Sequence, residues 1–127
     1  MQITKDFNVS EFECRCRNCE IGNIDNIKKL AKELQIIRDY FGKPIKINSG
    51  YRCETHNKAI GGVANSHHTL SKAADIAIEG ITPKEIANTL EELISSGQLR
   101  IGAIGIYNTF VHVDIRTTIA RWDNRSR

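Results

Sequence analysis

The chain has 127 residues, 40% of them hydrophobic and 26% charged, which supports one packed core and leaves no room for a second. Its formal charge of +3 is small and unevenly placed: residues 117–127 hold a net +2 and read as a basic, solvated C-terminal tail. That balance lacks the concentrated basic face of a nucleic-acid binder, and no apolar run approaches the ~20 residues of a helical membrane span.

The first stretch, MQITKDFNVSEF, lacks the basic start and apolar core of a secretory signal, so cytoplasmic synthesis is expected. Cys14, Cys16 and Cys19 follow as C-x-C-x-x-C, one ligand short of a structural zinc site, with Cys53 or His56 as candidate fourth ligands. Plain thiols are the main expectation for these cysteines, with a disulfide or a second zinc at Cys14, Cys16 and Cys19 as alternatives. In residues 24–41, Ile27, Leu30, Ala31, Leu34, Ile37 and Phe41 recur at three- and four-residue steps. That spacing predicts an amphipathic helix, stopped by Gly42 and Pro44. IKIN at 45–48 predicts a short strand. Residues 51–72 are rich in Gly, Ser, Asn and His; a loop of that length in so small a domain is usually functional.

AADIAI at 73–78 returns to a strand. Thr82, Pro83 and Glu85 form a helix start: a capping hydroxyl, a proline at the first helical position and the acidic half of a capping box. Ile86, Leu90, Leu93 and Ile94 supply that helix's buried face, and Gly97 ends it. Runs at 101–107 and 110–115, joined through Asn108-Thr109, predict a hairpin. The expectation is a single α+β domain, two main helices on a small, mostly antiparallel sheet.

Alternation in FVHVDI puts Val111, Val113 and Ile115 toward the core, and Phe110, His112 and Asp114 on the open face. His68, in the long loop, and Asp75, in the strand at 73–78, join His112 as two histidines and one carboxylate. Such a set binds zinc and leaves a fourth position for water. The spacing alone leaves a surface or hydrogen-bonded role open for each histidine.

The whole string resembles the zinc D-alanyl-D-alanine peptidases with the hedgehog/DD-peptidase fold. The resemblance rests on Ser49 to Arg52, Asn57, Gly61 and Gly62, then Ser66, His68, Ala73 and Asp75, then His112 to Asp114. It runs from about residue 11 to Arg116, and the short relatives it looks most like are often encoded by phages or prophages. It implies one zinc per chain, held by His68, Asp75 and His112. It also implies Arg52 as the holder of a substrate carboxylate, a task suited to a planar guanidinium fork. Ser66 matches a serine that hydrogen-bonds the substrate backbone; a plain loop role is the alternative. His67 reads as a rim residue and His56 as a helix-surface one. Three positions depart from the family pattern: Ser71 replaces a glycine, Phe110 a histidine, and Thr109 an acidic residue.

With Thr109 unable to carry a proton, Asp114 is the expected proton-transfer group, about 6–7 Å along the strand from His112. The alternative is that Asp114 orients a ligand histidine or Arg116. The function implied is a monomeric zinc peptidase that cuts D-amino-acid-containing bonds in peptidoglycan stem peptides, reaching the wall after release from the cytoplasm. A non-catalytic, zinc-containing wall-binding module is the second reading, and an assembly component the third. The motifs leave endo- and carboxypeptidase action equally open.

Overall fold

A computed structural model describes residues 2–12, 23–50 and 72–125. Helix α1 is Ile24–Phe41, the span its apolar spacing predicts. The Asn23 side chain caps it by accepting the Asn26 N–H, and Gly42 closes it at φ 63°. Ile27, Leu30, Ala31, Leu34 and Ile37 are buried, and Phe41 packs at the core's margin. Glu33 is buried as well, which the periodicity does not predict. Its Oε1 accepts the Arg100 N–H at 2.6 Å, tying the middle of α1 to the segment that leads into the hairpin. Helix α2 is Pro83–Ser95; Thr82 Oγ1 accepts the Glu85 N–H, as its capping sequence predicts. Ile86, Ala87, Leu90 and Leu93 are its buried face, with Ile94 at the margin.

Among the described residues five strands form one sheet: β1 (Lys46–Ser49), β2 (Ala73–Ala77), β3 (Ala103–Ile106), β4 (Val111–Asp114) and β5 (Ala120–Asp123). Their order is β1-β2-β4-β3-β5, and every neighbouring pair is antiparallel except β3 with β5. This is the expected α+β architecture, with the β3–β4 hairpin closed by the Tyr107 N–H donating to the Phe110 carbonyl. Among the described residues no helix is long and apolar enough to cross a membrane.

Strand β5 is the departure from the sequence reading, which expects a solvated tail at 117–127. Only Ala120 and Trp122 alternate with Arg121 and Asp123, too short a run to stand out from a charged end. Position explains it: after β4, residues 115–119 cross the end of β3 and set β5 down on its far side. The crossing passes over Gly102, where a Cβ would lie 2.1 Å from the Arg116 carbonyl oxygen and 2.5 Å from that of Thr118. Only a residue without a side chain fits beneath that crossing. On the helix side, Arg121 pairs with Glu91 of α2 at 2.9 Å.

Alternation divides the sheet. Ala74, Ile76, Ile104, Val111 and Val113 enter a single core with both helices and with Phe7 and Phe12 of the N-terminal segment. The other face carries Ala73, Asp75, Ala103, Gly105, His112, Asp114, Ala120 and Trp122.

Candidate metal centre

One row of register partners crosses the sheet. Ser49 pairs with Asp75, Asp75 with His112, His112 with Gly105, and Gly105 with Trp122. A bulge in β1 between Ile47 and Ser49 admits one extra residue before the row begins. The next row is Ala73, Asp114, Ala103 and Ala120. The chemistry-bearing side chains of β2 and β4 are thus neighbours because strands far apart in sequence are adjacent in the sheet.

Asp75 Oδ1 lies 3.0 Å from His112 Nδ1, and Asp114 Oδ2 lies 2.8 Å from His112 Nε2. The imidazole is held at both nitrogens, and its side chain is 11% exposed. Asp114 is fully buried. Arg116 closes on it as a fork, Nε donating to Oδ1 at 2.8 Å and Nη2 to Oδ2 at 2.7 Å, and the Arg116 backbone N–H also donates to Oδ1. Charge-assisted bidentate pairs of this kind are the strong ones. Burial pushes the Asp114 carboxyl up, but the hydrogen bonds from His112 and Arg116 outweigh it and hold the group well below the usual carboxylate range. Burial pushes His112 down, and the hydrogen bonds and charges of Asp114 and Asp75 more than reverse that, so its pKa stands above the ordinary value.

The arrangement has a chemical consequence. With the Nε2–H donated to the Asp114–Arg116 pair, a neutral His112 presents its Nδ1 lone pair to the Asp75 carboxylate. Two acceptors 3.0 Å apart require a cation between them, either a proton on Nδ1 or a metal ion. Zinc–nitrogen and zinc–oxygen bonds of about 2.0–2.2 Å put two tetrahedral ligand atoms about 3.3 Å apart, close to the separation found here. Asp75 and His112 therefore fit as two ligands of one small cation. Among the described residues no group of three His, Cys, Asp or Glu side chains could hold a metal ion. The third expected ligand, His68, lies outside the described residues, as do Arg52, Ser66, His56, His67 and the cysteines at 14, 16, 19 and 53.

The sequence model of the peptidase M15 family matches residues 5–114. The chain belongs to the peptidase M15 family. Over 45 residues, 35% of the chain, it is 44% identical to zinc D-Ala-D-Ala carboxypeptidase of Streptomyces albus G, and that stretch spans 18% of the relative's length.

Within this peptidase M15 chain, two residues at the centre stand beyond the family match. Arg116 is legible in part, since D-x-R continues the alternation of β4 and returns the guanidinium to the face of Asp114. Trp122 is not, because nothing local in the sequence sets it beside His112. Its ring centroid is 5.2 Å from that of His112, and the Arg116 guanidinium carbon is 5.8 Å from the indole centroid. The two readings of Asp114 make different demands on this geometry. A proton carrier needs a carboxylate free to accept and release, whereas here both oxygens are engaged and the imidazole nitrogen it meets is the one turned away from Asp75.

Proposed function

We propose that this chain is a zinc-dependent peptidase acting on D-amino-acid-containing peptide bonds of bacterial peptidoglycan. The observation that carries the reading is the Asp75–His112 pair, its second nitrogen locked by Asp114, in a chain of the peptidase M15 family. The name of the Streptomyces relative, a zinc D-Ala-D-Ala carboxypeptidase, supports the metal and the substrate class.

In this proposal His68, Asp75 and His112 hold one zinc per chain. When bound, the metal supplies a Lewis acid for the peptide carbonyl and an activated water at neutral pH. Asp75 contributes the anionic ligand. His112 contributes neutral Nδ1, and Asp114 fixes that tautomer by accepting the Nε2–H, with Arg116 holding Asp114 in place. Asp114 thus enters as an orienting residue in preference to the proton-transfer role, because Arg116 keeps it ionised and occupied. Arg52 binds a substrate carboxylate by bidentate hydrogen bonds, and Ser66 binds the substrate backbone. The partners are stem peptides, met by a monomer that reaches the wall after release.

Digestion of purified peptidoglycan with zinc-loaded protein, followed by mass spectrometry of the muropeptides, tests the reading and names the bond. New amine and carboxyl ends at a D-amino acid are expected, and they vanish with His112→Ala. Saturable binding to peptidoglycan with no new ends rejects hydrolysis in favour of a wall-binding module.

A further inference from the structure

We infer that Trp122, on a strand beyond the family-matched residues, is a positioning residue that locks His112 for metal binding; the inference rests on the metal reading above. Trp122 is the fifth member of the row that contains Asp75 and His112, and Gly105 stands between it and the histidine. A Cβ at Gly105 would fall 2.3 Å from indole Cε2 and Nε1, so the ring lies across the glycine and reaches the imidazole. The two rings sit 5.2 Å apart, inclined at 41°, within the range of favourable aromatic contacts.

Other contacts fix the indole itself. Its Nε1–H donates to the Tyr107 hydroxyl at 2.9 Å, and Tyr107 stacks on Phe110 at 4.5 Å with the rings 11° apart. Arg116 lies against the indole at 5.8 Å, a cation–π separation. Trp122 therefore touches both ends of the Arg116–Asp114–His112 chain. Two effects follow. The indole obstructs the ring flip that would exchange Nδ1 and Nε2 of His112. It also keeps water from the Arg116–Asp114 pair, whose hydrogen bonds strengthen in a drier setting.

The chain contains one tryptophan, so its emission reports this position alone. Cobalt(II), added to metal-free protein as a quenching probe, should quench that emission saturably, and Asp75→Asn should reduce the quenching. Zinc affinity is then measured by chelator competition well below each variant's melting temperature. Trp122→Ala should weaken zinc about 10-fold, and Trp122→Phe, which keeps a ring over Gly105, should stay within about threefold. Arg121→Ala serves as the comparison, because it loosens β5 by removing the pair with Glu91 and the hydrogen bond to the Gly102 carbonyl while leaving the side chains of Asp75, His112, Asp114 and Arg116 in place. A purely structural role would make affinity follow melting temperature alike in Arg121→Ala and Trp122→Ala. That result, or native zinc affinity in Trp122→Ala, overturns the inference while leaving the metal reading intact. Failure of the native chain to bind zinc or cobalt overturns both.

Discussion

Asp114→Asn removes one charge while almost preserving shape, and the cost can be worked from its contacts. The native carboxylate accepts from His112 Nε2, from Arg116 Nε and Nη2, and from the Arg116 backbone. Asparagine has one acceptor oxygen in place of two. At the Oδ2 position it serves His112 Nε2 and Arg116 Nη2 while its NH₂ faces Arg116 Nε and the Arg116 backbone N–H; turned over, it faces His112 Nε2 and Arg116 Nη2 with NH₂ instead. Removing one partner of a buried ion pair costs about 3–5 kcal/mol. The Arg116 side chain keeps 24% exposure and recovers part of that in water, which brings the loss to about 2–4 kcal/mol. At roughly 3–5 °C per kcal/mol for a chain of this size, the melting temperature should fall by roughly 6–20 °C. Zinc affinity should fall about 10- to 100-fold, because His112 loses the group that fixes its tautomer. The assay is chelator competition below the lowered transition, with turnover measured at saturating zinc. Near-native zinc affinity together with a turnover loss of about 10²–10⁴-fold would refute the orienting role and return Asp114 to proton transfer.

His68→Ala and His112→Ala should each lose most bound zinc by metal analysis, and full retention in either removes that residue from the ligand set. Arg52→Ala should weaken substrates bearing a free carboxylate near the cleaved bond by about 2–3 kcal/mol relative to amidated analogues; equal losses on both make Arg52 structural. Glu33→Ala removes the acceptor of the part-buried Arg100 N–H bond and should cost about 0.5–1.5 kcal/mol in denaturant unfolding, with zinc content unchanged. Gly105→Ala puts a methyl into the indole and should shift the tryptophan emission and cost about 1–3 kcal/mol. A native emission spectrum in that variant would show that the ring does not lie over Gly105.

The helices and the hairpin are legible because their signals are local. The apolar spacing of α1 and the Thr82-Pro83 start of α2 act within one or two turns, and both spans agree with the structure. On β4, alternation separates Val111 and Val113 from His112 and Asp114, and the register confirms that His112 meets Asp75. What escapes the sequence is long-range. Glu33 reads as a solvated helix residue because its partner, the Arg100 amide, is far along the chain. Strand β5 has little propensity of its own; it forms because the crossing over Gly102 delivers it to a free edge of β3 and because Arg121 finds Glu91. Arg116 and Trp122 follow from that same crossing. Their placement depends on topology, which short-range patterns do not encode.

The centre is shaped as much by the side chains that are missing as by those present. On the row through Asp114, its partners Ala73, Ala103 and Ala120 are all alanine. Larger groups there would compete with Arg116 for the surface of the carboxylate, and the fork could not close with both donors. On the row through His112, Gly105 does the same for the indole of Trp122. The two glycines of the segment IGAIGI thus have separate tasks: Gly102 lets the chain cross to β5, and Gly105 lets the ring carried by β5 return to the histidine. In the segment itself these positions look like weak strand formers, since glycine and alanine are depleted in strands. Read across the sheet, their small size is what allows a polar, charged cluster to be packed on a face opposite the hydrophobic core.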